Sequence, residues 1–432
     1  METFLENIPQ PGQLSELYAS LFSRYTANDP ENQMLAAMAL EILAITRRPM
    51  SVLELAWAVA MGVAPDGVST IAALAQLVDY QRLLGLIQPF IARVDFNDMN
   101  KRQVRLVHNS ARDFVLSGWA MASLDGQELP TTATTRELRV DQRTASLEAA
   151  LLNICVRYLL LADVDQLELF SDEQLAIEEL LHDFDPFSEN KEQVQYDPHC
   201  SWEVWEEDMK HYDPAERGFG ELFVYASCHW IDHLGVIRTE LPPGSIELLC
   251  KKGSTRLQNW INQNCRPGCT IKSRFTFDSS LYDPLGITSL YGSHITFQYM
   301  LENADFDSGY YFSDTAMKAA DQIFKWGDLS RIIMLFTQSK AGHQLWHVGF
   351  FQLVMQYWSV SKRQLQGQDW DAIFDLVDCV LDDMVHDGWG NELLCLASGS
   401  GCMPIVQRLI GAAQHKADLR EELLRDCQRQ SQ

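Results

Sequence analysis

A glycine that recurs at the same place in two copies of one apolar pattern is the feature that most constrains this chain. Around Gly292, Leu285 lies seven residues before, Thr288 and Ser289 four and three before, and Phe297, Met300 and Leu301 five, eight and nine after. Around Gly401 the same offsets hold Leu394, Ala397, Ser398, Val406, Leu409 and Ile410. Small residues let two helices approach closely, the glycine permits a tight turn between them, and the apolar pairs stack on neighbouring units. The glycines lie 109 residues apart, from 292 to 401, close to three units of about 33 residues with some insertion. A weaker copy sits around Ala319-Ala320 and Gly327-Asp328-Leu329, followed by Ile332-Ile333. The chain is therefore expected to turn between paired helices at Gly292 and Gly401. Ile405, Val406, Leu409 and Ile410 are expected to form the buried face of the last helix, with Gln407 and Arg408 pointing outward.

The front of the chain carries a different pattern. Residues 14–47 read as two amphipathic helices, the first with Leu14, Leu17, Leu21 and Phe22 and the second with Met34, Ala37, Met38, Ile42 and Leu43. Asn28-Asp29-Pro30 breaks them apart and Arg48-Pro49 ends the second. Ser51-Val52-Leu53-Glu54 has the form of a capping box, opening a helix to about Met61. A further helix is expected over 70–84, stopped by Gly85, and then two β runs, 86–94 and 104–107, joined by a polar turn at 95–100. Three helices followed by a hairpin make a winged-helix-like module of residues 1–125. Residues 126–281 form a helical linking region. Within it, 126–144 is a polar linker, and 145–161 is a helix whose stripe of Leu147, Leu151, Ile154, Cys155, Tyr158 and Leu159 faces a core. A short helix over 173–182 follows, with Trp202 and Trp205 as docking residues. Residues 282–432 form the repeat tail. The fold class is mostly α with one small β-hairpin.

Charge excludes several partners. The net charge is −25, and residues 163–217 alone hold 18 acidic and 3 basic side chains. Binding to phosphate backbones or anionic membranes needs clustered Lys and Arg, so neither nucleic acid nor membrane is expected. No apolar run approaches the roughly 20 residues of a membrane helix, and the first residues lack the basic and apolar regions of a signal peptide. A cytoplasmic or nuclear setting follows, in which the ten cysteines remain reduced.

Candidate chemistry is sparse. His229 and His233 are four apart on an expected helix, but a zinc hydrolase wants His-Glu-x-x-His, and Trp230 and Asp232 stand between them. Cys265-x3-Cys269, with Cys250 and Cys228, lacks the second tight ligand pair of a structural zinc site. The segment expected as a DNA-reading helix offers only Arg82 beside Asp79. His108, Ser110 and Asp113 lack a nucleophile elbow and are expected to fix a local turn. No catalytic residue, cofactor or metal is expected, and the chain is read as no enzyme.

The tail segments resemble ankyrin repeats, with the usual Thr-Pro-Leu-His opening reduced to Asp283-Pro284-Leu285-Gly286. Two front segments, Arg48-Pro49-Met50-Ser51-Val52-Leu53-Glu54-Leu55 and Leu106-Val107-His108-Asn109-Ser110-Ala111-Arg112-Asp113-Phe114-Val115-Leu116, resemble the winged helix that follows the NACHT ATPase in fungal STAND, or NLR-like, proteins. Ala226-Ser227-Cys228-His229-Trp230-Ile231-Asp232-His233 resembles a helix preceding the repeats in that family. The resemblance implies a non-enzymatic interaction, scaffold or regulatory protein that binds other proteins through its ankyrin-like solenoid tail. Tyr291, Tyr299, Trp326 and Trp346 are the candidate contacts, with Tyr310, Tyr311 and Phe312 beside them. An accessory ankyrin-repeat component of a metabolic or biosynthetic pathway, without catalysis of its own, is the alternative. The chain starts almost at the module, and no Gly-x-x-x-x-Gly-Lys-Ser/Thr stretch occurs, so the family's ATP-driven switch is not carried over. Titration calorimetry with micromolar ATP is expected to give no binding heat. Saturable heat from a monodisperse sample overturns that reading.

Overall fold

The computed structural model describes residues 11–93, 103–117, 133–172, 174–176, 211–238, 241–275, 277–326, 328–337, 339–361 and 370–414. The expected turn at 95–100, residues 126–132 of the expected linker, most of the acidic segment with Trp202 and Trp205, and Gly327 fall outside these residues. The rest of that linker, 133–144, is helical rather than a polar connection, since it holds no Gly or Pro to stop the helix that continues through 145–159. The described chain is mostly helical with one two-stranded antiparallel sheet. It divides into two units, Met1–Thr239 with Gly253–Ser279, and Glu240–Lys252 with Ser280–Gln432.

In the first unit, cap residues decide where helices start. Helix α1 (Pro11–Tyr25) turns Tyr18 and Phe22 onto Phe90, and Tyr18 also onto Phe114, with ring centroids 5.3 to 6.4 Å apart. Ala27 and Asn28 reverse the chain in the left-handed region. Asp29 restarts it by accepting from the Asn32 N–H at 2.9 Å, ahead of α2 (Pro30–Ile45). Strand β1 (Met50–Ser51) runs directly into α3 (Val52–Val63). The capping box forms as expected: Ser51 Oγ accepts from the Glu54 N–H at 3.0 Å, and the Glu54 carboxylate accepts from the Ser51 N–H at 2.7 Å. Glu54 is buried and takes a two-pronged ion pair from Arg48 at 2.5 and 2.9 Å.

Two expectations fail in the next stretch. The helix expected over 70–84 is two helices, α4 (Ile71–Ala75) and α5 (Tyr80–Ile87), because the Asp79 carboxylate accepts from the Arg82 N–H and opens a new one. The β run expected from residue 86 is largely helical. Leu83, Leu86, Ile87 and Phe90 are all buried, a spacing that one face of a helix satisfies and a strand does not. Among the described residues, an isolated bridge, Ile91 to Leu106, joins the two arms. Strand β2 (Gln103–Val104) pairs with β1 instead, Met50 opposite Val104 and Ser51 opposite Gln103. Helix α6 (Asn109–Leu116) is capped by His108, whose Nδ1 accepts from the Ser110 N–H at 3.1 Å.

The long helix α7 (Ala133–Leu159) buries the whole expected stripe from Leu147 to Leu159. It is followed by α8 (Ala162–Gln166), α9 (Phe223–Leu234), α10 (Pro243–Leu249), which belongs to the second unit, and α11 (Thr255–Asn264). Helix α9 packs on both α7 and α11. The chain enters α9 through Gly220, at φ 70°. A Cβ there would lie 2.8 Å from the Trp57 ring and closer still to the Tyr158 hydroxyl, which donates to the Phe219 carbonyl at 2.7 Å. Both the backbone angle and the space demand glycine.

Arginines from distant helices close the carbonyl ends of others. Arg112 Nε donates to Ala44 O at the end of α2. The Arg157 guanidinium donates to Met61 O and Ala64 O at the end of α3. Arg256 donates to Leu159 O and Leu160 O after α7, at 2.9 and 3.4 Å. Asn259 does the same for α8, donating to Val164 O and Leu167 O while accepting from the Leu169 N–H. The last carbonyls of a helix have no partner within it, and each of these contacts supplies one across a tertiary interface.

The second unit is built of helix pairs: α12 (Pro284–Tyr291) with α13 (His294–Asn303), α14 (Thr315–Trp326) with α15 (Ser330–Thr337), α17 (Val348–Ser361) with α18 (Trp370–His386), and α19 (Gly390–Gly399) with α20 (Met403–Gln414). A single turn, α16 (Ser339–Gly342), links the middle pairs. First helices pack on first helices, α12 on α14, α14 on α17 and α17 on α19, and second helices likewise, α15 on α18 and α18 on α20. Gly292 and Gly401 both lie in turns within pairs, as expected, but for different reasons. Gly401 is left-handed at φ 66°, whereas Gly292 is extended and a Cβ there would lie 2.6 Å from the Thr288 carbonyl oxygen. On α20, Ile405 and Leu409 are buried, Val406 is half-buried, and Ile410, expected inside, is 46% exposed. Arg408 is not simply outward. It spans to Asp378 and Asp375 on α18 at 2.6 and 2.8 Å and lies over the Phe374 ring.

Asp283 joins the first two pairs. Its carboxylate is buried, caps α12 by accepting from the Gly286 N–H at 2.9 Å, and accepts from the Phe312 N–H at 3.0 Å and the Thr315 hydroxyl at the start of α14. All three partners are donors, and an amide at this position would turn its NH2 group toward one of them. Asp283→Asn is therefore expected to cost about 2–4 kcal/mol, close to Asp283→Ala, because each strands buried donors. Urea denaturation checks this. An Asn variant as stable as the parent means that the cap is dispensable.

Candidate functional site

The four aromatic residues expected to contact partners sit on different elements of the second unit. Tyr291 ends α12 and Tyr299 lies on α13, both half-buried. Trp326 ends α14 and is 70% exposed, with Lys325 above its ring at 5.4 Å. Trp346 precedes α17, is 51% exposed and leans on the rings of His343 and Phe336. Tyr311 and Phe312, grouped with them by sequence, are core instead. Tyr311 donates to Glu247 on α10 at 2.7 Å, and Phe312 is covered by Lys318. Sequence reasoning missed the aliphatic counterparts of Trp326. Ile295 and Met403 are exposed at the internal turns of the first and last pairs, and Val360 is exposed in the last turn of α17. Each pair thus exposes a large apolar side chain near the end of its first helix or the start of its second.

A second cluster lies in the first unit. His233, on the last turn of α9, has no exposed surface, and Glu148 of α7 is nearly as buried. His233 Nδ1 lies 2.5 Å from Glu148 Oε2 and Nε2 lies 3.0 Å from the Tyr225 hydroxyl. That hydroxyl accepts from the Arg47 N–H at 3.2 Å. The Arg47 guanidinium returns to Glu148 Oε2 at 3.0 Å and to Asp232 O, near the end of α9, at 3.3 Å. The Arg48 guanidinium sits over the Tyr225 ring, 5.4 Å from its centroid. Burial pushes the His233 imidazole below its usual range, aided by the charge of Arg47 and by His229, while Glu148 opposes the shift.

The network rules out the His-x3-His ligand idea on geometric grounds. Both nitrogens of His233 are engaged, and His229 Nδ1 pairs with Asp232 at 2.9 Å. Cys228 donates to Gln263 O and the Gln263 amide donates to Cys269 Sγ, each at 3.6 Å. Among the described residues no group of three or more His, Cys, Asp or Glu side chains is arranged to hold a metal. No described helix is long and apolar enough to cross a membrane. Comparison with protein-family models, curated proteins and solved structures gave no match.

The signal for the buried cluster was present in the sequence but unused. Glu148 falls beside Leu147 on the apolar stripe of α7, and a carboxylate there needs a partner from another element. The exposed tryptophans, by contrast, are expected to contribute little to folding. Trp326→Ala and Trp346→Ala should each change the unfolding free energy by less than about 1 kcal/mol. A loss above about 2 kcal/mol in chemical denaturation would place either ring in the core.

Proposed function

We propose that this chain is a non-catalytic protein-interaction scaffold of the NLR-like kind, with a winged-helix-like front and an ankyrin-like tail that binds other proteins. One observation carries the reading: four consecutive helix pairs stack first helix on first helix, and each exposes a large apolar side chain, Ile295, Trp326, Val360 or Met403, near the end of its first helix or the start of its second. A stacked array buries its core between neighbouring pairs and leaves its turns as a repeated surface for partners. Exposed tryptophan beside a basic side chain, as at Trp326 and Lys325, has the amphipathic character of interface anchors. Support for the front comes from the pairing of β1 with β2, which brings the strand before α3 against the second arm of the expected hairpin. The front is read as a packing module, since Arg82, the one base on its expected reading helix, is bound to Glu31 and Asn32. No step in this reading uses a nucleotide, metal or cofactor.

The test is quantitative affinity purification of the full chain from its native cells, run beside the Trp326→Asp and Met403→Asp variants. A defined set of proteins held by the parent and depleted at least tenfold by both variants is the expected result. A parent chain recovered alone, or a set unchanged by either variant, overturns the proposal.

A further inference from the structure

The buried cluster on α9 has only one arrangement of protons that gives every hydrogen an acceptor. Of the two hydrogen-bond partners of the Tyr225 hydroxyl, the Arg47 N–H is a donor, so the acceptor for the hydroxyl's own proton is His233 Nε2. Nε2 must then be bare, and the imidazole proton sits on Nδ1 and is donated to Glu148 Oε2. The imidazole is neutral in this state, and among the described residues the full positive charge paired with the carboxylate is Arg47. If His233 takes up a second proton, Nε2 becomes a donor facing the donor hydroxyl of Tyr225, inside a space where neither His233 nor Tyr225 has exposed surface. That hydroxyl also borders Cys155, a buried neutral thiol of α7, which does not offer a carboxylate's acceptance to a displaced proton.

Three elements meet at this point. Glu148 comes from α7, Arg47 from the segment after α2, and Tyr225, His229, Asp232 and His233 from α9 itself. We propose that the cluster is a proton-operated latch, which holds α9 against α7 and Arg47 while His233 is neutral and loosens that contact when His233 is protonated. The latch is independent of the partner surface proposed above and belongs to the first unit alone.

The sign follows from linkage. A histidine released to water titrates near about 6.5, whereas the closed cluster disfavours the second proton, its imidazole being held below the usual range. The open state therefore binds more protons than the closed one. Acid favours opening from about pH 6.5 down to the lowered value, by up to about tenfold in the open-to-closed ratio per pH unit. Above about pH 6.5 the latch is insensitive to pH.

The test reads opening directly. Amide hydrogen exchange of the full chain, corrected for intrinsic rates, is compared at pH 7.5, 6.5 and 5.5 over residues 225–234. Protection there is expected to hold from pH 7.5 to 6.5 and then fall several-fold to tenfold by pH 5.5, while residues 403–410 of the other unit keep theirs. His233→Gln retains an amide donor and a carbonyl acceptor without a titrating proton, so it should abolish the fall. Tyr225→Phe removes the hydroxyl that blocks Nε2. It should raise the His233 pKa, read from the side-chain nitrogen shifts of 15N-histidine, and shrink the fall. This second variant decides the matter if the first does not fold. A His233 that titrates at or above 6.5 in the parent, or an acid effect unchanged in Tyr225→Phe, overturns the latch.

Discussion

Where the described residues are mostly helical, the controlling difficulty is the carbonyl end of each helix. The last C=O groups of a helix have no partner inside it, and when that end is packed against another element water cannot supply one. Here side chains from elsewhere close these ends. Arg112 reaches the end of α2, Arg157 the end of α3, Arg256 the end of α7, Arg47 the end of α9 and Arg331 the end of α12. Arg331 is the fullest case. From α15 it donates to Ser289 O and Gly292 O at 2.6 and 2.7 Å, so the second helix pair closes the first helix of the pair before it. A guanidinium suits the task, because it carries several donors in a fixed plane and a charge that complements the negative end of the helix dipole. Each such contact also registers one helix against another, which apolar packing alone does loosely.

This use of cations changes the meaning of the acidic balance. The chain has far fewer basic than acidic residues, and several of the arginines are committed to carbonyls or to single buried carboxylates such as Glu54 and Glu148. Those arginines are thereby drawn into tertiary contacts, while acidic side chains such as Asp375 and Asp378 remain partly in solvent. Asp283 shows the converse arrangement. It has no cationic partner among its hydrogen bonds and is held by donors alone, and burial raises its pKa against their effect.

The parts of the fold legible in the sequence were those governed by neighbours in the chain. The capping box at Ser51 and Glu54, the apolar stripe of α7 and the turns at Gly292 and Gly401 all depend on residues within about ten positions of one another. Misreadings arose where two local patterns competed. Residues 86–90 belong to a short apolar run of the kind that reads as a strand, yet the buried positions over 83–90 follow a helical period. Asp79 is an ordinary polar residue in a helical run until its carboxylate turns back to cap the next helix. Ile410 has the offset of a buried residue, yet on α20 it is 46% exposed while Ile405 and Leu409 are buried.

The sequence by itself determined that this is a helical chain with a change of pattern along its length, paired helices at its end and no motif for phosphate binding. Periodicity, caps and turn residues act over a few residues and leave a readable trace. Only the tertiary structure decided which helices meet. It assigned residues 240–252, which the sequence places in the helical linking region, to the second unit. It brought Glu148 to His233 across 85 positions of chain and separated Trp326, which faces solvent, from Phe324, which does not. The reason is physical: a side chain's partner across an interface is set by where the backbones come together, and no spacing in the sequence records that distance.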